Sequence, residues 1–309
     1  MTGSIDKNEH PINETASCDR LPQQQPTPAV KLPRVWTVFA AVSLALFLAI
    51  LFQAGFTSVL AIVEIRRGVK PAELTDVIVD KLVSPYMMIS IMACGQLAFA
   101  IVGFLSALWS PVPFRERVAL TRAHPSWRVY PMATLGSIVP LAIGFIAAQA
   151  VANIFPADES MLRFFDALTI DSAIVFVLFV GIAPGIIEEF MFRGYVQQRL
   201  VKRWGATTGI VVTSIVFGLF HFTPQAMLVA LPLGFWFGYV AWRSKSIFPA
   251  ILCHFFVNSG VNTWRMVVKF GEISETAQNS AYLCALAIGV TCFAVCFWPA
   301  FWRERTETE

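Results

Sequence analysis

Charge is what this sequence has least of. Only 14% of its 309 residues are Asp, Glu, Lys or Arg, while 56% are hydrophobic. A soluble domain carries about 25% charged residues, so this chain lacks the charge to cover a water-exposed surface. A mean hydropathy of +0.64 agrees. The net charge of +3 is too small to suggest nucleic acid, and none is expected as a partner. Histidine is scarce, with four in the whole chain. The six cysteines, Cys18, Cys94, Cys253, Cys284, Cys292 and Cys296, form no C-x-x-C pair. Five of them lie in apolar runs and read as small buried side chains.

What is present is apolar and comes in blocks. A helix needs roughly 20 apolar residues to cross a bilayer. Eight such spans are expected: 35–63, 85–109, 129–154, 173–200, 206–222, 226–242, 247–268 and 281–302. The fold class is therefore an all-α polytopic membrane protein, a bundle of about eight transmembrane helices in contact with membrane lipid. Residues 77–83 and 161–168 are apolar but too short to span, and are expected at the interface. Met1 to Arg34 is polar and rich in Pro, Gln, Asn and Thr, with no apolar run ahead of the first span. It reads as a disordered cytoplasmic tail and not as a cleavable signal peptide. Residues 35–309 form the membrane domain. With the N-terminus inside, the inner segments hold 15 Lys and Arg against 7 in the outer loops. Both termini are then cytoplasmic, in the plasma (inner) membrane if the host is bacterial.

Ionisable groups at membrane depth are costly and mark function. Three spans carry them. The fourth reads Pro184-Gly185-Ile186-Ile187-Glu188-Glu189-Phe190-Met191-Phe192-Arg193-Gly194. Glu189 and Arg193 are four apart with the acid first, the favourable helical pairing. Glu188 points about 100° away and is left without a local partner. A desolvated carboxylate beside a second one suits a general base. The fifth span contains Phe217-Gly218-Leu219-Phe220-His221, and the seventh reads His254-Phe255-Phe256-Val257-Asn258. His254 and Asn258 share one helix face. At 1.5 Å per residue, Glu188, His221, His254 and Asn258 fall at about 10–18 Å from the cytoplasmic end, so they can meet in one layer.

These motifs resemble the CPBP family, which includes the Rce1-type CAAX prenyl proteases. That family carries E-E-x-x-x-R, F-x-x-x-H and H-x-x-x-N on successive membrane helices. The matching residues here are Glu188, Glu189 and Arg193; Phe217 and His221; His254 and Asn258. Phe192-Arg193-Gly194-Tyr195 and Phe248-Pro249-Ala250-Ile251 match as well, and the motif core covers residues 173–262. The resemblance implies an intramembrane endopeptidase acting on a peptide or C-terminal segment of a membrane-anchored or lipidated protein. Under it, Glu188 activates water and His221 helps position it. His254 and Asn258 stabilise the oxyanion, while Glu189 and Arg193 hold the helix and its field. The family is commonly called metalloprotease, and Glu188, His221 and His254 can complete a three-ligand Zn2+ site. The residues leave metal dependence open.

The other intramembrane protease classes lack their motifs here: there is no H-E-x-x-H, G-x-G-D or G-x-S-x-G. Two further readings stand beside the protease. Buried Glu and His also build proton relays in transporters, although the inverted repeats such carriers show are not evident. A catalytically silent scaffold, of the bacteriocin self-immunity type, is the other.

Overall fold

With no water in hydrocarbon to pair with backbone groups, the apolar blocks must be helices. The structure, a computed structural model, describes Thr2 and residues 33–109, 114–120, 126–156 and 159–302. Most of the expected tail, 1–34, lies outside the described residues. Among those described there are helices and no strands. In chain order they are α1 (Trp36–Arg66), α2 (Leu74–Val83), α3 (Pro85–Leu108), α4 (Phe114–Arg117), α5 (Val129–Gly136), α6 (Ile138–Ala150), α7 (Glu159–Ala167) and α8 (Ile170–Glu189). A π-helical segment, Phe190–Gln197, then leads into α9 (Gln198–Trp204). After it come α10 (Ala206–Leu219), α11 (Pro224–Ser244), α12 (Phe248–Gly271) and α13 (Glu275–Phe297).

Six helical stretches are long and apolar enough to span: 36–66, 85–108, 129–150, 170–204, 224–244 and 275–297. Their outer faces leave Phe47, Ile50, Val59 and Leu97 exposed, the surface expected against lipid acyl chains. This is an integral membrane protein. Of the eight expected spans, two depart from that pattern. The 14 residues of α10 make only about 21 Å of helix, short of the roughly 30 Å of hydrocarbon. The expected continuation to Phe222 does not form. Pro224 pushes Thr223 out of the helical region, and Thr223 becomes the N-cap of α11, accepting from the Ala226 N–H. Phe222 takes a positive φ of 58° to make the turn. His221 therefore sits in a break between two helices and not inside a span.

The other departure is α12. Its 24 residues are long enough, but His254, Asn258, Asn262, Arg265 and Lys269 make it too polar. Two of these, His254 and Asn258, are directed at α8, which α12 packs against antiparallel. Pro184 inside α8 has no N–H, so the carbonyl of Val180, four residues earlier, loses its helical donor. Asn258 Nδ2 supplies the missing hydrogen bond at 2.9 Å. Farther out, Lys269 Nζ donates to the carbonyls of Phe165, Asp166 and Leu168 at 2.7–3.0 Å, closing the end of α7.

The short helices α2 and α7 occupy the two segments expected at the interface. They are joined by Arg163 to Asp80 at 2.6 Å. Buried Glu64 at the end of α1 accepts from Arg67 at 2.9 Å and Lys81 at 2.7 Å, tying α1 to α2.

Gly181 sets the approach of α8 to α12. A Cβ there would overlap the Ser259 hydroxyl and meet the Phe255 ring at 3.0 Å. Overpacking of this kind costs about 1–3 kcal/mol. Gly181→Val is expected to lower the apparent melting temperature in detergent by several degrees. An unchanged thermal scan would show that the two helices are not held by this contact.

Candidate active site

Two hydrophobic clusters meet at the site. One gathers Phe192, Met191 and Phe217 with parts of α1, α3 and α9. The other gathers Trp236, Phe237, Ala250, Cys253 and Val257 with α5 and α13. Phe217 and Phe237 face the seam between them, and the charged residues lie there.

Arg193 Nη1 donates to Glu189 Oε1 at 2.7 Å, and both side chains are 0% exposed. Nη2 donates to the Gly234 carbonyl at 3.0 Å. The guanidinium lies 4.3 Å from the centre of the Phe217 ring and 5.3 Å from that of Phe237. A cation over an aromatic face in a desolvated site is favourable by about 2 kcal/mol. His254 Nδ1 meets the same Glu189 oxygen at 2.8 Å. A carboxylate only accepts, so Nδ1 carries the proton and Nε2 is the free nitrogen. Phe237 stacks on the His254 ring at 5.2 Å, and Phe217 meets it edge-on at 5.9 Å. Glu189 is thus held by a cation and an imidazole inside an aromatic sleeve.

Glu188 is outside this arrangement. It is half-buried. Among the described residues the ion pairs at the site engage Glu189 and not Glu188. Its partner is an amide: Gln96 Nε2 of α3 donates to Glu188 Oε1 at 2.8 Å. His221 lies within electrostatic reach of Glu188, His254 and Arg193. Its Nδ1 donates to the Phe217 carbonyl at 3.0 Å, closing the end of α10. A carbonyl only accepts, so His221 too presents a free Nε2. The helix break at residues 220–223 makes this geometry, since it lets the ring fold back over Phe217 at 5.0 Å.

Glu189, Arg193, His221 and His254 are therefore gathered around Phe217, and Glu188 adjoins them through its charge interaction with His221. Asn258 stands one turn farther along α12, and its amide is turned to the Val180 carbonyl. One of its two N–H bonds remains for another acceptor. The expected metal set, Glu188, His221 and His254, is not assembled as one. Among the described residues no three His, Cys, Asp or Glu side chains are gathered closely enough to hold an ion. Each histidine has Nδ1 engaged, by Glu189 or by a helix carbonyl, and keeps Nε2 as its available nitrogen.

Sequence patterning does not single out three participants. Gln96 is a lone amide in the apolar run of α3, and Phe237 is one aromatic among many in α11. The π-helical segment 190–197, which contains Arg193, is the third. Such segments are frequent at functional sites. At its centre Gly194 lets the backbone of Val118 approach closely, with the Val118 carbonyl 3.1 Å from where a Cβ would stand. An apolar groove of about 410 Å³ opens between α3 and α8, lined by Ala100, Ile101 and Phe104 and by Ile186, Ile187 and Phe190, which flank the two glutamates in the chain.

Residues 170–260 match the family model described as type II CAAX prenyl endopeptidase Rce1-like. No curated protein and no solved structure matches the chain.

Proposed function

We propose that this chain, a member of the Rce1-like (CPBP) family through residues 170–260, is an intramembrane endopeptidase whose base is Glu188. One observation carries the reading. Of two adjacent acids, buried Glu189 is neutralised by Arg193 and His254, while half-buried Glu188 is held, among the described residues, by a neutral amide. A base must be free to take a proton, and Glu188 is the carboxylate left free.

In this reading a water lies between Glu188 and the free Nε2 of His221. Glu188 takes its proton as the water oxygen bonds to the scissile carbonyl carbon. The carbonyl π pair moves to oxygen, and the resulting oxyanion is met by the His254 edge and the remaining Asn258 N–H. To donate there, His254 Nε2 must carry a proton, and Glu189 on the opposite nitrogen is the group that a positive ring pairs with. Collapse re-forms the carbonyl and breaks the C–N bond. The proton on Glu188 passes to the leaving amine. No step requires a metal.

The substrate is a membrane-anchored or lipidated protein cut near its C-terminus. The apolar groove between α3 and α8 supports this, since it offers lipid-like surface on the same two helices that carry Gln96 and Glu188. The charge asymmetry of the loops supports a cytoplasmic site with both termini inside.

The test uses purified full-length chain in proteoliposomes with an internally quenched peptide, either free or carrying a C-terminal C-a-a-X lipid anchor. Cleavage of the anchored peptide, located by mass spectrometry, is expected to exceed that of the free one by at least about tenfold through local concentration alone. Absence of cleavage in both would overturn the reading. Phenanthroline-treated protein, shown to be zinc-free, is expected to keep its rate. Loss of activity restored by added zinc would replace the glutamate base with a metal site.

A further inference from the structure

We infer that Gln96 is a positioning residue for the hydrolytic site, reaching the base from outside the matched segment. The inference rests on Glu188 being that base. Gln96 lies on α3, 92 residues from Glu188, and donates to it at 2.8 Å. Its family-independent position matters, because residues 170–260 alone do not contain the group that holds the acid.

The chemistry follows from what an amide can do. A carboxylate accepts only, so the amide must present its NH2 to Glu188. That bond engages Oε1 and leaves Oε2 as the basic oxygen. A lysine or arginine at the same place would neutralise Glu188, as Arg193 neutralises Glu189. An apolar residue would leave the carboxylate free to rotate away from His221. The amide orients the acid and adds no charge.

A second feature argues that Gln96 is not there for packing. Its Oε1 is buried and has no hydrogen-bond partner among the described residues. Buried polar atoms are normally paired. The contact with Glu188 is thus kept although half of the amide goes unsatisfied. One turn farther along α3, Ala100 and Ile101 line the apolar groove.

The test compares Gln96→Met, Gln96→Asn and Gln96→Glu with wild type in the proteoliposome assay, reading kcat and KM separately. Met keeps the length and loses the donor. A hydrogen bond to a charged group corresponds to roughly 10–100-fold, so kcat is expected to fall by about that factor in Gln96→Met. KM should stay within about threefold, because substrate binding does not use this bond. Asn retains a shorter donor and is expected to recover part of kcat. Glu sets a second acid against the base and is expected to be the worst of the three. Melting temperatures check that each variant is folded. A Met variant with wild-type kcat overturns the inference, as does equal damage by Met and Asn, or a change confined to KM. Failure of the underlying reading looks different, because Glu188→Gln would then remain active whatever Gln96 does.

Discussion

Glu188→Gln is expected to lower kcat by about 10²–10⁴-fold, the usual contribution of a positioned general base, while leaving the protein folded. The substitution is close to isosteric, and the amide oxygen of glutamine can still accept from Gln96, whose Nε2 now holds Glu188 Oε1 at 2.8 Å. What disappears is the ability to take a proton from water. The neighbouring substitution should behave in the opposite way. Glu189 is 0% exposed and accepts from both Arg193 and His254, so Glu189→Gln removes the counter-charge of a buried guanidinium. It should lower the melting temperature first and activity as a consequence. Initial rates and thermal scans on the two variants, side by side, separate the roles. Equal turnover by wild type and Glu188→Gln, with the same cleavage products, would remove Glu188 from the chemistry.

That contrast between adjacent acids is legible in the sequence, because it depends on helix periodicity alone. Four residues separate Glu189 from Arg193, and one residue rotates Glu188 away by about 100°. The pairing at 2.7 Å follows that arithmetic. The polytopic helical fold is legible for a similar reason, since hydrocarbon admits little else. Partners far apart in the chain are not. Nothing local in α3 announces that Gln96 meets Glu188, or that Phe237 will stack on His254. Asn258 shows the intermediate case. Pro184 deprives the Val180 carbonyl of its donor, which the sequence states plainly, but only the packing of α8 on α12 names Asn258 as the replacement. The end of α10 is marked in the sequence by its neighbours. Thr223-Pro224 is a helix-start signal, yet the apolar run continues up to Phe222, and a span drawn by hydropathy alone places His221 inside a helix.

Arg193→Met is expected to have the largest effect on stability of any single substitution at the site. Arg193 is fully buried and held by Glu189 at 2.7 Å, by the Gly234 carbonyl at 3.0 Å, and between the Phe217 and Phe237 rings. Its removal leaves Glu189 buried with His254 as its remaining partner among the described residues. Breaking a buried pair from one side costs about 3–5 kcal/mol, because the surviving charge is uncompensated. That is a large fraction of the 5–15 kcal/mol that typically separates folded from unfolded protein. Low yield in detergent and a strongly depressed apparent melting temperature should result. The origin of the loss can be isolated by neutralising the survivor. In Glu189→Gln/Arg193→Met no charge is stranded, and the glutamine oxygen still accepts from His254 Nδ1. The double variant is therefore expected to melt well above Arg193→Met, since replacing both members of a buried pair is often close to neutral. Its activity should nonetheless stay low, because His254 then lacks the anion that a positive ring needs while the oxyanion forms. A double variant no more stable than Arg193→Met would show that the arginine acts through its aromatic and carbonyl contacts and not through Glu189. Full activity in the double variant would show that the field of Glu189 has no part in the reaction.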